Sequence, residues 1–80
     1  MSGMPVIRVE LPSTRDEAKK ILALYQKGAK HRHSEDAAID EAWKRGRTPT
    51  GRIRFAGLTN GQPPSLKYDV TVHTELEKPR

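Results

Sequence analysis

The sequence predicts a small α+β domain with the element order β-α-α-β-β. Three segments alternate apolar and polar residues, as strands with one buried face do. Between the first and the second of these alternating segments lie two others, in which apolar residues recur at helical spacing. The chain has 80 residues, which is enough for one domain. We therefore expect a small antiparallel or mixed three-stranded sheet with two helices packed on one face.

The first strand is predicted at residues 6–11, and a helix follows over residues 14–30 that ends or frays near Gly28. Pro12 is expected to end the strand, because proline has no N–H to donate to a neighbouring strand. Ser13 or Thr14 can cap the helix, since an acidic residue follows each of them after three positions. The apolar positions are Ile7, Val9 and Leu11 in the strand and Ala18, Ile21, Leu22, Tyr25 and Ala29 in the helix.

A second helix, about three turns long, is predicted after the polar connection at residues 30–33. Ser34 is expected to be its N-cap, with Glu35 and Asp36 in the first turn. Gly46 is expected to follow the last turn, where helices commonly end in glycine. The apolar face of this helix consists of Ala38, Ile39, Ala42 and Trp43.

Two further strands are predicted at residues 52–58 and 67–77, with loops at residues 48–51 and 59–65. Sequential strands usually pair, so these two are expected to be antiparallel neighbours. The position of the first strand in the sheet is left open. The core is expected to bury the four aromatic side chains together: Tyr25, Trp43, Phe55 and Tyr68. The whole chain is predicted to be one domain, with residues 1–4 and 78–80 as loose tails.

Charge and composition restrict the classes of function. The net charge is +5, which favours an anionic partner such as nucleic acid or an acidic protein surface. The chain has no cysteine, which excludes a disulfide framework and a thiolate metal site. The longest apolar run, residues 21–25, is far too short to span a membrane, and the N-terminus lacks a secretory pattern. We therefore expect a cytoplasmic protein with no membrane contact.

The longest acid-free segment, residues 44–68, is the predicted binding surface for nucleic acid or another anionic partner. Arg52 and Arg54 are expected on one strand face, about 7 Å apart, where they could hold successive phosphates. The alternative is that these arginines pair across the hairpin with carboxylates, namely Asp69, Glu75 or Glu77. The predicted site residues are Lys44, Arg45, Arg47, Arg52, Arg54 and Lys67.

Four aromatic residues lie on apolar faces of the predicted elements, so no stacking platform for bases is expected. Contacts to nucleic acid should therefore be mostly to its backbone, sensitive to salt and weakly specific for sequence. A secondary basic turn is predicted between the helices, formed by Lys27, Lys30 and Arg32. His31 and His33 flank Arg32, but their i, i+2 spacing does not place two ligands on one helix face, so no metal site is expected.

Motifs for catalysis are lacking in the sequence. No serine lies in a nucleophile motif, and no glycine-rich phosphate loop is present. We therefore expect a non-enzymatic protein without a cofactor.

Two resemblances to known families imply other functions. The segment Met4-Pro5-Val6-Ile7-Arg8-Val9 followed by a helix resembles the start of the 4-oxalocrotonate tautomerases. That resemblance implies that Pro5 becomes the N-terminal residue and that its amine is the general base. Here residues 1–3 precede Met4-Pro5, and a second helix is predicted where that family has a strand.

A strand at residues 6–11 followed by two helices also resembles the ribbon–helix–helix repressors, with Ser34-Glu35 at the start of the second helix. This resemblance implies DNA contacts from outward strand residues, here Arg8 and Glu10. A possible homodimer is suggested separately by the small size of the predicted sheet, because unpaired edge strands tend to be paired or covered. The predicted C-terminal hairpin lies outside that family's pattern.

The sequence therefore favours a small basic binding module that contacts nucleic acid, or a nucleic-acid–protein complex, through a lysine and arginine surface. The first alternative is an inhibitor or adaptor of phage type that docks on an acidic protein surface. The second alternative is a tautomerase-like enzyme that uses Pro5.

Overall fold

The computed structural model describes residues 4–74 and confirms the element order β-α-α-β-β. The predictions for the tail residues 1–3 and 78–80, and for continuation of the last strand over residues 75–77, lie outside the described residues. The five elements, in chain order, are β1 Val6–Pro12, α1 Arg15–Gln26, α2 Arg32–Lys44, β2 Pro49–Leu58 and β3 Ser65–Val72.

The three strands form one antiparallel sheet with the order β1-β3-β2. The last strand in the sequence is thus the central one, and β1 and β2 are the two edges. In register, Val9 lies opposite Tyr68 on one side of β3, and Phe55 lies opposite Tyr68 on the other. The structure therefore answers the question that the sequence left open, since β1 joins the sheet beside β3.

Both helices pack on one face of this sheet and bury the inward side chains of β3. Tyr68, Val70 and Val72 are fully buried. Short side chains at the contact surfaces of the helices let them approach the sheet closely. The buried core consists of Val9, Ala18, Ile21, Ala38, Ala42, Leu66, Tyr68, Val70 and Val72.

The two helices end in the same way, with a glycine in the left-handed conformation. After α1, Gly28 has φ +87°, and the N–H of Ala29 donates to the carbonyl of Leu24 at 2.9 Å. After α2, Gly46 has φ +78°, and the N–H of Arg47 donates to the carbonyl of Ala42 at 3.0 Å. The prediction for Gly46 is confirmed. α1 ends at Gln26, so the outer bound of residue 30 was too long, while the predicted end near Gly28 is within two residues of the observed one.

The predicted N-cap of the second helix is wrong, because α2 begins two residues before Ser34. His31 is the cap residue, and its side chain accepts a hydrogen bond from the backbone N–H of Ser34 at 3.3 Å. The Ser34 side chain lies inside the protein, where its hydroxyl is 2.5 Å from the hydroxyl of Tyr68. A serine engaged with the sheet is not available as the cap. The cap of α1 is Thr14, one of the two residues that the sequence offered, and its hydroxyl accepts from the N–H of Glu17.

Trp43 does not belong to the core, contrary to prediction, since it is 56% exposed. The buried residues of α2 are Ser34, Ala38 and Ala42, which recur every four positions. Trp43 follows Ala42 directly and therefore points about 100° away from that buried line. The other three aromatic side chains do pack together, with the rings of Tyr25 and Phe55 stacked at 4.3 Å.

The strand bounds also differ from the prediction. β3 spans Ser65–Val72, whereas a strand was predicted over residues 67–77, so it begins two residues earlier and ends before residue 73. Pro12 remains paired opposite Ser65, which an edge strand tolerates because its outer side needs no ladder partner. β2 begins at Pro49, so residues 49–51 are strand and not loop. The register of β2 shifts between Pro49 and Ile53, where Gly51 has φ +104°, and the alternation that marks a strand is interrupted there.

The cap at His31 generates a stability prediction. His31→Ala should lower the free energy of unfolding by about 1 kcal/mol, because the Ser34 N–H loses its acceptor. His31→Asn should retain most of the stability, since asparagine is a favoured cap. Urea denaturation followed by circular dichroism measures both. His33→Ala is the matched control, because His33 is exposed and is not the cap; equal losses for the two alanine variants would contradict the assigned cap.

Candidate anion-binding face of the sheet

The face of the sheet opposite the helices carries the charged residues of all three strands. Because successive side chains of a strand point to opposite faces, burial of Tyr68 and Val70 directs Lys67, Asp69 and Thr71 outward. We call this surface the open face. Its charged members are Arg8, Glu10, Arg52, Arg54, Lys67 and Asp69.

The half of the open face formed by β1 and β3 is balanced in charge. Arg8 lies opposite Asp69 in register, and the two form an ion pair through the Arg8 Nε and the Asp69 Oδ1. The hydrogen bond to Asp69 raises the pKa of Arg8. Glu10 lies opposite Lys67 in the same register. Each cation of this half therefore has a carboxylate across from it.

The half formed by β2 is not balanced. Arg52 and Arg54 are exposed, and neither forms an ion pair with another residue in the described part of the chain. Arg54 lies opposite Asp69, but that carboxylate pairs with Arg8 on the other side of β3. Glu75 and Glu77, which the sequence offered as other partners, lie outside the described residues. Among residues 4–74, the positive charge of the open face is thus concentrated on β2.

Two irregularities of β2 lie next to this pair of arginines. One register shift lies between Pro49 and Ile53, near Gly51, and the other lies between Phe55 and Gly57, with φ +104° at both glycines. A bulge bends and twists a strand and changes the direction of nearby side chains. Arg54 belongs to the short regular segment between the two shifts, whereas Arg52 lies within the first shift, directly before that segment.

A shallow groove runs along this part of the open face. Its volume is about 440 Å³, and its lining includes Arg52, Arg54, Asp69 and Thr71. A second depression of about 430 Å³ shares Arg52 and Thr71 with it and continues toward His73. The arginine side chains therefore border a continuous concave surface that an extended anionic ligand could follow.

The other predicted site residues do not join this groove. Lys44 pairs with Asp40, and Arg45 pairs with Glu41, each at 3.6 Å along α2. Arg45 also donates to the carbonyl of Arg8 at 3.0 Å and so covers part of the free edge of β1. Arg47 follows α2, where its N–H belongs to the helix terminus. The six predicted residues are therefore divided between the open face and the end of α2.

The secondary basic turn lies in the helical layer. Lys27, Lys30 and Arg32 are exposed in and beside the connection of α1 to α2. The rings of His31 and His33 are 6.3 Å apart, edge to face. Within residues 4–74, no group of three or more histidine, aspartate or glutamate side chains is positioned to hold a metal ion.

A polar network in the core was not anticipated from the sequence. The Tyr25 hydroxyl donates to Glu35 Oε2 at 2.6 Å, accepts from the N–H of His31 at 3.2 Å and lies 3.0 Å from the hydroxyl of Tyr68. The Tyr68 hydroxyl in turn contacts Ser34, whose Oγ is 2.8 Å from the Nδ1 of His31. This network joins both helices to the central strand and orients the first turn of α2.

Pro5 and β1, on which the two family resemblances rest, both contact β3. The carbonyl of Pro5 accepts from the N–H of Val72 at 2.9 Å, and a second helix, α2, follows α1. β1, the counterpart of the repressor ribbon, pairs with β3 of the same chain, and Arg8 pairs with Asp69.

In comparisons with known proteins, the chain matches no family model, no curated protein and no solved structure at a significant level. Among residues 4–74, neither helix has the length and apolar character needed to cross a membrane.

The polar network generates a prediction for alkaline pH. Burial, helped by the hydrogen bonds to Glu35 and Tyr68, raises the pKa of Tyr25 above the ordinary tyrosine value. The unfolded chain therefore loses its tyrosine proton at lower pH than the folded protein does. The stabilisation from Tyr25 should be fully present below about pH 10 and should decline as the pH rises beyond it.

Urea unfolding at a series of pH values from neutral to strongly alkaline measures this decline. Tyr25→Phe should show a smaller loss of unfolding free energy above about pH 10 than the wild-type protein, because it lacks this ionisable group. If the unfolding free energies of the two proteins fell in parallel as the pH rises, the raised pKa of Tyr25 in the folded protein would be contradicted.

Proposed function

We propose that this protein is a non-enzymatic module that binds nucleic acid through the open face of its sheet, with Arg52 and Arg54 as the main phosphate contacts. One observation carries the proposal. These two arginines lie on one side of β2 beside a groove, and neither is neutralised by a described carboxylate. The rest of the open face has its cations opposed by acids.

The chemistry of the guanidinium group supports phosphate as the ligand. Arginine presents several N–H donors in a planar arrangement that suits two oxygens of a phosphate. Side chains two residues apart on a strand are about 7 Å apart, so Arg52 and Arg54 can each bind a different phosphate of one strand. The net charge of +5 adds a long-range attraction to any polyanion.

The open face favours contacts to the backbone of a duplex over base stacking. Tyr25, Phe55 and Tyr68 pack against one another on the helix side of the sheet, and Trp43 is on α2. Stacking of unpaired bases requires exposed aromatic rings. Three strands spaced about 4.8 Å apart span about 10 Å, which is comparable to the width of the major groove of B-DNA. Duplex DNA is therefore the nucleic acid that this surface fits best.

Salt dependence of binding provides the direct test. The logarithm of the association constant for a labelled DNA duplex should fall linearly with the logarithm of the salt concentration. Replacement of both arginines, Arg52→Gln with Arg54→Gln, should reduce the slope of that plot by about 2, because two phosphate contacts are lost. Fluorescence anisotropy at several salt concentrations measures both slopes.

The matched control removes two positive charges from the helical layer, Arg15→Gln with Lys19→Gln. Both side chains are exposed and lie on α1. This control should keep the wild-type slope. An affinity that does not respond to salt, or an equal change in slope for the two double variants, would contradict binding through the open face.

A further inference from the structure

A second groove lies on the helix side of the sheet, away from the arginines of β2. It has a volume of about 580 Å³ and runs between the first turns of α1 and the loop that joins β2 to β3. One wall carries two cations of α1, and the other carries apolar and amide side chains of the loop. The residues that matter are Arg15, Lys19, Leu58, Asn60, Pro63 and Pro64.

The loop wall of this groove is held in place by hydrogen bonds. The Thr59 hydroxyl accepts from the N–H of Gly61 at 3.3 Å and from the N–H of Ser65 at 2.9 Å. The N–H of Thr59 donates to the carbonyl of Ser65 at 2.9 Å. The Ser13 hydroxyl, next to the cap of α1, donates to the carbonyl of Pro64 at 3.0 Å. The loop and the start of α1 are thus fastened to each other.

The helix wall carries positive charge in an unfavourable arrangement. Arg15 and Lys19 are one turn apart on the same side of α1, where like charges repel. Arg15 is also the first residue of the helix, where the helix dipole disfavours a cation. Neither side chain forms an ion pair with a residue of the described range, although two acids occupy the same first turn. An anionic ligand in the groove would relieve both repulsions.

We propose that this groove binds an acidic peptide segment of a partner protein in an extended conformation. Arg15 and Lys19 would each bind one carboxylate. Side chains at i and i+2 of an extended peptide are about 7 Å apart on one side, which is close to the spacing of one helical turn, about 6 Å. The residue between the two acids then points to the opposite wall.

The opposite wall fits an apolar residue at that intermediate position. Leu58, Pro63 and Pro64 provide an apolar surface, and the side-chain amide of Asn60 offers a donor and an acceptor to a peptide backbone. A peptide of alternating acidic and apolar residues satisfies both walls together. Nucleic acid would satisfy only the charged wall, which is why an acidic peptide is the better occupant.

The probe is a labelled peptide of sequence Glu-Leu-Glu-Leu-Glu, titrated into isotopically labelled protein and followed by nuclear magnetic resonance. We expect shifts of the backbone amides of Asn60, Gly61 and Gln62 and of the first turns of α1. The double variant Arg15→Gln with Lys19→Gln should weaken binding about tenfold, because two exposed ion pairs are lost. The control Lys20→Gln, which removes a positive charge directly beside Lys19 but outside the groove, should bind as the wild type does.

Three results would overturn this proposal: no binding of the peptide, shifts that map to β2 and β3 on the open face, or equal binding of a Gln-Leu-Gln-Leu-Gln peptide. A fourth arm uses inorganic phosphate alone. If phosphate shifts the same residues as strongly as the peptide, the groove is a phosphate site. Since Arg52 and Arg54 take no part here, DNA binding by the open face can fail while the peptide binds, and the reverse also holds.

Discussion

Burial of the Tyr68 side chain on the central strand is the constraint on which the rest of the structure depends. Its ring is fully buried and contacts the rings of Tyr25 and Phe55, while its hydroxyl reaches Ser34 in α2 and Tyr25 in α1. A shift of β3 by one residue would turn Tyr68 outward and bring Asp69 into the core. The same contacts that fix the helices therefore fix which side chains face outward on the open face.

Acids outside the segment of residues 44–68 determine which of its cations carry unpaired positive charge. The segment contains no acid, yet acids that flank it or face it approach three of its six cations. Asp40 and Glu41 pair with Lys44 and Arg45 at the end of α2, and Glu10 lies opposite Lys67. Asp69 pairs with Arg8 and not with Arg54. Within residues 4–74, Arg52 and Arg54 on β2 form no ion pair, and Arg15 and Lys19 on α1 form none either.

Periodicity in the sequence was enough to predict the element order and the two layers, because each strand and helix has one apolar face and two layers are the simple way to bury them. It did not predict the place of β1 beside β3 in the sheet. The errors arose where a contact distant in sequence decides the outcome. Ser34 has the local pattern of a cap, but the Tyr68 hydroxyl holds it inside helix α2. Trp43 continues the apolar pattern, but small residues already fill the contact with the sheet. For the candidate site, Arg52 and Arg54 were predictable from alternation, whereas the groove beside Arg15 depends on a loop position that no local pattern reveals.

Mapping of the DNA contact by nuclear magnetic resonance tests the central claim most directly. The protein is labelled with nitrogen-15 and titrated with a short DNA duplex at low salt. We predict that the side-chain Nε–H signals of Arg52 and Arg54 shift, together with backbone amides of β2 and β3, while signals of α1 and of the loop at residues 59–64 remain in place. Shifts confined to the helices and that loop, or no shifts at all, would contradict the account.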